Sequence, residues 1–298
     1  MPIKILLTKL CFLFALSTWA QTAALKTDMQ KIISGKKAEV GVGIISIEHP
    51  DSLSINGDKH FPMQSVFKFH IALAILKEVD NGRLSLDKEI LITKEDLLPN
   101  TWSPIREKYP GGGIYLKLSE ILRYTVAESD NNGCDLLLRL LGGPLIVNDY
   151  LHSMGARDVS IRVTEAQMHS DWEAQFNNWT TPVAASQLLI DFYNGKLLSR
   201  TNTAFLWKIM SETSTGKMRI RGQLPPETAV AHKTGSSDTN KDGITAAIND
   251  IGIVTLPDGT HFAISVFVTD SRENTEANEK IIADLSRLAW NYFRNHSK

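Results

Sequence analysis

The stretch SVFKFHIALAILKEV (65–79) decides the fold. It is apolar almost without interruption and runs out at Asn81-Gly82, a pair that suits the left-handed backbone at a helix C-terminus. The pattern predicts a helix over Val66 to Val79 that is buried nearly all round, the centre of a core rather than a surface element. One residue conflicts with that setting. Lys68 lies one turn inside the run, and a lysine there is costly unless a partner holds its amine.

On either side the periodicity changes. Upstream, VGVGIISI (40–47) and Leu53 to Ile55 flank a His49-Pro50-Asp51-Ser52 turn and predict a hairpin. Downstream, helical patterns run at Leu118 to Ala127, Cys134 to Leu141, Pro144 to Met154, Pro182 to Tyr193 and Thr201 to Met210. Polar loops join them, the longest from Val163 to Thr181. After Gly222, strand patterns return at Ala229 to Thr234, Ile244 to Leu256 and Phe262 to Thr269, and a helix from Glu276 to Phe293 closes the chain. Strands at both ends of a helical middle predict an α/β (α+β) fold. One antiparallel sheet with flanking helices is built from 21–63 and 212–298, and an all-α lobe at 64–211 is inserted into it. The cleft between two such lobes suits a small-molecule site.

Composition narrows the function. With 298 residues, 43% hydrophobic and 22% charged, the chain is ordinary for a globular protein, which excludes disorder and coiled coil. Lys plus Arg (32) nearly cancels Asp plus Glu (33), so no basic field points to nucleic acid. Lys4 and Lys9, the apolar LCFLFAL (10–16) and Thr18-Trp19-Ala20 read as a secretory signal peptide over 1–20, too short to span a bilayer. That implies export to the periplasm, a chain free of the membrane after cleavage, and a monomer as the simplest state. Cys11 leaves with the signal, so Cys134 has no internal disulfide partner and reads as a buried, inert thiol.

The eight histidines show no HxH or HExxH spacing, and no Walker loop, GxGxxG or GxSxG is present, so neither metal nor cofactor is expected. Ser-x-x-Lys occurs at Ser34/Lys37, Ser65/Lys68, Ser85/Lys88 and Ser214/Lys217. Three of these lie in polar surroundings and read as solvated. Ser65 instead stands at the mouth of the most apolar helix, with Lys68 on the same face at i+3. A lysine amine beside a serine hydroxyl can handle its proton, and a backbone N–H at a helix N-terminus suits a developing oxyanion. Ser129-Asp130-Asn131 forms a turn between two helices, and Lys233-Thr234-Gly235 ends an apolar strand. Each tripeptide alone is weak, since the first also reads as an N-cap and the second as a polar strand end. In this order, on helix, loop and strand, the three together point to acyl transfer through Ser65.

The set S-x-x-K, S-D-N and K-T-G resembles the signature of the class A serine β-lactamases. Within them, FPMQSVFKF (61–69), TWSPI (101–105), SDNNGCDLL (129–137), EAQMH (165–169) and AHKTG (231–235) are most like the extended-spectrum subgroup called PER and VEB. The resemblance implies the β-lactamase and penicillin-binding transpeptidase fold, with Ser65 as the acylated nucleophile and Lys68 as its proton-transfer partner. It implies Ser129 as proton donor to the leaving nitrogen and Glu165 as the carboxylate that activates the deacylating water. Asn131 would bind the substrate's side-chain amide, Lys233, Thr234 and Gly235 its carboxylate, and the N–H groups of Ser65 and Ser236 its oxyanion. Trp102 would wall the entrance. Lys68 and Glu165 both stand open as the base for acylation.

Several positions depart from that pattern. The loop usually closed by an Arg–Asp ion pair has Val163 and Asn178 instead. His169 and Asp135 each replace an Asn, and Ile248 stands where many members carry a carboxylate-binding Arg. Arg219 is the expected substitute for that Arg. The expected substrates are β-lactams such as penicillins and cephalosporins. The rival readings are a D,D-peptidase with the same motifs and a β-lactam sensor that acylates and stalls.

Overall fold

The computed structural model describes residues 21–296, so the signal read over 1–20 lies outside the described residues. A helix at 21–33 (α1) opens the described chain. The hairpin follows as β1 (Glu39–Ser46) and β2 (Ser52–Ile55). Near the other end come β8 (Val230–Ser236), β9 (Ile248–Thr255), β10 (His261–Thr269) and α10 (Thr275–His296). The five strands form one sheet in the order β2-β1-β10-β9-β8, antiparallel throughout, with Val42 opposite Val266 and Lys233 opposite Ile251. The two chain ends therefore meet in mid-sheet.

Alternation along the strands separates two cores. Phe262, Ile264, Val266 and Val268 face one way and pack with Leu25 and Met29 of α1 and with Leu285, Ala289 and Trp290 of α10. Ala263, Phe267, Ile251 and Ile253 face the other way and join the core around α2 (Phe67–Asp80). Every residue of α2 from Phe67 to Leu76 is buried, as its apolar run predicts, and Lys68 is buried with them.

The remaining helices are α4 (Leu118–Ala127), α5 (Asn131–Leu141), α6 (Pro144–Ser153), α8 (Pro182–Tyr193) and α9 (Arg200–Ser211). Each matches an expected pattern to within a turn. The middle of the chain is nevertheless not purely helical. A hairpin of β4 (Glu89–Ile92) and β5 (Ile114–Lys117) and a short helix α3 (Pro104–Lys108) lie between α2 and α4. A small sheet pairs β3 (Phe61–Pro62) with β7 (Trp179–Thr180), and β7 with β6 (Val159–Ser160). These strands are two to four residues long, too short for alternation to show in sequence. Inside the longest polar loop lies a further short helix, α7 (Glu165–Ser170). Among the described residues no helix is long and apolar enough to cross a membrane.

Candidate active site

Ser65 lies in a 3-10 turn (Gln64–Val66) that runs straight into α2. The preceding Gln64 is held at φ +46°, a left-handed conformation that is strained for a residue with a side chain. One helical turn on, Lys68 Nζ lies 2.9 Å from Ser65 Oγ, 2.8 Å from the carbonyl oxygen of Ser129 and 2.8 Å from Glu165 Oε1. It also donates to Asn131 Oδ1. All four neighbours are oxygen acceptors, which is how a lysine is tolerated in this helix. Ser65 Oγ in turn lies 3.3 Å from Glu165 Oε1.

The Ser129-Asp130-Asn131 turn reaches this group from the α4–α5 junction. Ser129 also has a left-handed backbone, φ +60°. Asp130, the middle residue, is fully buried and pins the turn: it accepts from Ser103 Oγ and from the N–H groups of Ile105 and Gly133, both at 2.7 Å. Burial still pushes its carboxyl above the ordinary range. The turn thereby presents Ser129 and Asn131 on one side. Asn131 Nδ2 donates to Thr101 Oγ1 at 2.7 Å, so Thr101 orients a residue the motif singled out, a role no sequence signal marked.

From the sheet, β8 brings Lys233, whose Nζ donates to Ser129 Oγ and to the carbonyl of Thr234, both at 2.9 Å. Burial, and then the charge of Lys68, lower the Lys233 pKa well below the usual lysine value. Thr234 Oγ1 is 2.6 Å from Thr215 Oγ1. Gly235 is required by close approach: a Cβ there would meet the Met63 carbonyl oxygen at 2.4 Å. The strand therefore runs against the turn that carries Ser65, and the next residue, Ser236, reaches the same cavity as Ser65.

Arg219 is brought to the back of this strand and is buried. Its guanidinium donates to the carbonyls of Gly235 (3.0 Å) and Asn249 (2.9 Å), to Ser236 Oγ (2.7 Å) and to Glu279 (3.1 Å). Four of its five donors are thus engaged within the protein. Ile248, at the start of β9, is buried.

The cavity beside Ser65 has a volume of about 360 Å³. Ser65, Asn131, Glu165 and Ser236 give it polar groups, while Trp102, Met168, His169 and Trp172 wall it. Trp102 is 54% exposed, and its indole N–H donates to the Glu128 carbonyl at 2.8 Å, which fixes the ring at the entrance. Lys233, Thr234 and Gly235 lie beneath this opening rather than on its lining.

Glu165 opens α7, with Thr164 capping the helix through a capping box. The Asp135 carboxylate accepts the N–H groups of Glu165 (2.8 Å) and Ala166 (2.9 Å), tying α7 to α5. An asparagine would offer one acceptor oxygen in place of two, so both N–H groups would have to share it. Burial, reinforced by the Glu165 charge, pushes the Asp135 carboxyl up to about 6. At the base of the loop, Asn178 is fully buried. Its Oδ1 accepts from Arg162 N (2.7 Å) and Val163 N (3.1 Å), and its Nδ2 donates to the Val163 carbonyl (2.9 Å). A neutral amide thus holds the loop, whose sequence already lacks the Arg–Asp pair usual in the family. Cys134 is fully buried, and burial raises its thiol well above the ordinary value. Among the described residues no three His, Cys, Asp or Glu side chains converge on a metal-sized gap.

A family model described as "Beta-lactamase enzyme family" matches residues 24–293. The chain is 51% identical over 295 residues to Beta-lactamase VEB-1 of Pseudomonas aeruginosa, covering 98% of each. It is 44% identical over 275 residues to Extended-spectrum beta-lactamase PER-1 of the same organism, covering 92% of this chain and 89% of that protein. Among solved structures it resembles the TLA-1 extended-spectrum β-lactamase, with a TM-score of 0.90 and 50% identity over 92% of this chain and 99% of the other.

Proposed function

The chain belongs to the class A β-lactamases, serine hydrolases that open the β-lactam amide through an acyl-serine, and on that premise we propose how its own residues divide the reaction. Ser65 Oγ attacks the lactam carbonyl, and the N–H groups of Ser65 and Ser236 hold the oxyanion. The Ser65 proton passes to Lys68, whose Nζ lies 2.9 Å from Ser65 Oγ, which leaves Glu165 to activate the water that hydrolyses the ester. Ser129 Oγ protonates the departing lactam nitrogen, and Lys233, 2.9 Å away, holds that hydroxyl in place. Lys233, Thr234 and Gly235 bind the substrate carboxylate, Asn131 takes the side-chain amide, and Trp102 closes the entrance. Arg219 supports the carboxylate subsite through Ser236, to which it donates at 2.7 Å.

One observation carries this reading: Glu165 Oε1 lies within 3.3 Å of the serine oxygen and 2.8 Å of the lysine nitrogen. A carboxylate so placed serves hydrolysis of the ester, which neither a D,D-peptidase nor a stalling sensor needs. On this reading the reaction runs between a sheet lobe of 21–63 and 212–298 and a helical lobe of 64–211. The substrates are penicillins and cephalosporins, extended-spectrum ones included. The protein is exported through the signal at 1–20 and works as a periplasmic monomer, without cofactor, metal or nucleic acid.

The test is Glu165→Gln. Intact-protein mass spectrometry after mixing with a cephalosporin is expected to show a persistent adduct on Ser65 in the variant and little in the parent. Loss of a general base costs about 10²–10⁴-fold in rate, enough to make deacylation limiting. Turnover like the parent's, with no adduct, would sink the assignment and make His169 the next candidate.

A further inference from the structure

A second polar pocket of about 290 Å³ shares no lining residue with the cavity at Ser65. It lies where the segment after α9 turns into the 3-10 helix at Ile220–Gln223. Lys217 and Arg221 line it, four positions apart. Lys217 belongs to the Ser214/Lys217 pair, one of the Ser-x-x-Lys occurrences that read as merely solvated. Neither cation forms an ion pair or a side-chain hydrogen bond among the described residues, and no acidic side chain lines the pocket.

Three hydroxyls, of Thr213, Thr215 and Thr228, and the apolar Leu224, Pro225 and Pro226 complete the lining. Thr213 Oγ1 donates to the His232 carbonyl at 2.7 Å, and Thr215 Oγ1 is bonded to Thr234. Thr228 differs from both. It is buried, with 9% exposure, its N–H goes to the Pro225 carbonyl, and its hydroxyl has no partner among the described residues. That hydroxyl is not sealed from solvent, so it stands as a neutral donor open to the pocket beside the two cations. In a chain whose net charge is −1, this concentration of positive charge is local rather than a general property of the surface.

We propose that this pocket binds a small oxyanion of the phosphate class. The Arg221 guanidinium and the Lys217 ammonium supply charge-assisted donors, the former as a fork matched to two oxygens, and Thr228 supplies a neutral one. The pocket abuts the catalytic strand through Thr213 and Thr215, yet none of its five polar residues takes part in the reaction assigned above.

The experiment is a titration of the ¹⁵N-labelled protein with inorganic phosphate, ionic strength being held constant with chloride. Saturable amide shifts are expected at Thr215, Lys217, Arg221 and Thr228. The double variant Lys217→Gln/Arg221→Gln is expected to bind phosphate here at least about tenfold more weakly, as loss of charged hydrogen bonds implies. Its spectrum elsewhere reports that it is folded, and any phosphate response at Ser236 reports the active site separately. Thr228→Val, which keeps shape and charge, is expected to weaken binding by a smaller factor. Vesicles containing phosphatidylglycerol form a second arm: retention of the parent but not of the double variant assigns the phosphate to a lipid headgroup, and no retention assigns it to solution. Shifts that fail to saturate with phosphate, or that saturate equally in the double variant, overturn the proposal.

Discussion

Ser65 and Glu165 face each other across 3.3 Å, and they are held by opposite means. The serine side stands on regular structure. Ser65 leads into a helix buried on all sides, Lys68 lies within that helix, and Lys233 lies on a sheet strand. The glutamate side stands on a polar segment held by two side chains, Asp135 at the start of α7 and Asn178 at the base of the loop. On the roles proposed above, attack on the substrate depends on the core, and hydrolysis of the acyl-serine on a handful of hydrogen bonds. The two halves of the reaction are separable by mutation because their supports are separate.

The sharpest break lies on the serine side. Ser65→Gly is expected to leave the fold intact and to lower kcat by about 10⁴-fold or more, as for other removed nucleophiles. Hydrolysis of a chromogenic cephalosporin measures it, and a residual rate near a tenth of the parent's would end the acyl-serine assignment. On the loop side, Asn178→Ala leaves the N–H groups of Arg162 and Val163 and a carbonyl without their buried partner. The expected cost is about 3–5 kcal/mol in chemical denaturation. Deacylation should slow more than acylation, so an equal slowing of both would merge the two supports.

Asp135 sharpens the contrast through pH. Its native value of about 6 exceeds the ordinary 3.8, so between these values the folded state holds more protons than the unfolded one. This group's contribution to stability therefore falls as pH rises from about 4 to about 6, by about 3 kcal/mol at most, and is flat above. Denaturation curves of Asp135→Asn are expected to lose that part of the pH dependence. An unchanged profile would show that the carboxyl does not titrate there. The smallest effect is expected at Arg219, proposed above to support the carboxylate subsite through Ser236. Arg219→Ala should lower kcat/KM by about tenfold, in line with one charge-assisted contact. Compared on a substrate methyl ester, an equal loss would make the residue purely structural, and a larger loss on the free acid ties it to the carboxylate.

The difference between the two supports also explains what could be read from the chain. The all-round apolar run of α2 and the alternation in β9 and β10 are dictated by burial and leave a pattern, so helix, sheet and the two-ended topology were legible. Ser65, Lys68, Ser129 and Lys233 lie at the ends of those elements, and the structure brings them within hydrogen-bonding distance. The anchors of the loop carry no period. Asn178 and Asp135 could be marked only as departures from a family pattern, because what they do depends on backbone groups distant in sequence. Thr101 and Asp130 act the same way, through single hydrogen bonds that no spacing rule anticipates. The engagement of Arg219 by Gly235, Asn249, Ser236 and Glu279 belongs to this class as well.

The meeting of both chain ends in mid-sheet has a consequence for how the protein is made. Val42 must wait for Val266 before β1 gains its neighbour β10, so the sheet cannot close while the chain is still being synthesised. The helix that carries Ser65 can form early from local contacts, but β8, which carries Lys233 and Ser236, finds its partner β9 only near the end. On the roles proposed above, nascent fragments that already contain Ser65 lack Ser236, the second of the two N–H groups assigned to the oxyanion. A chain cut short before β9 would carry Ser65 with β8 still unpaired.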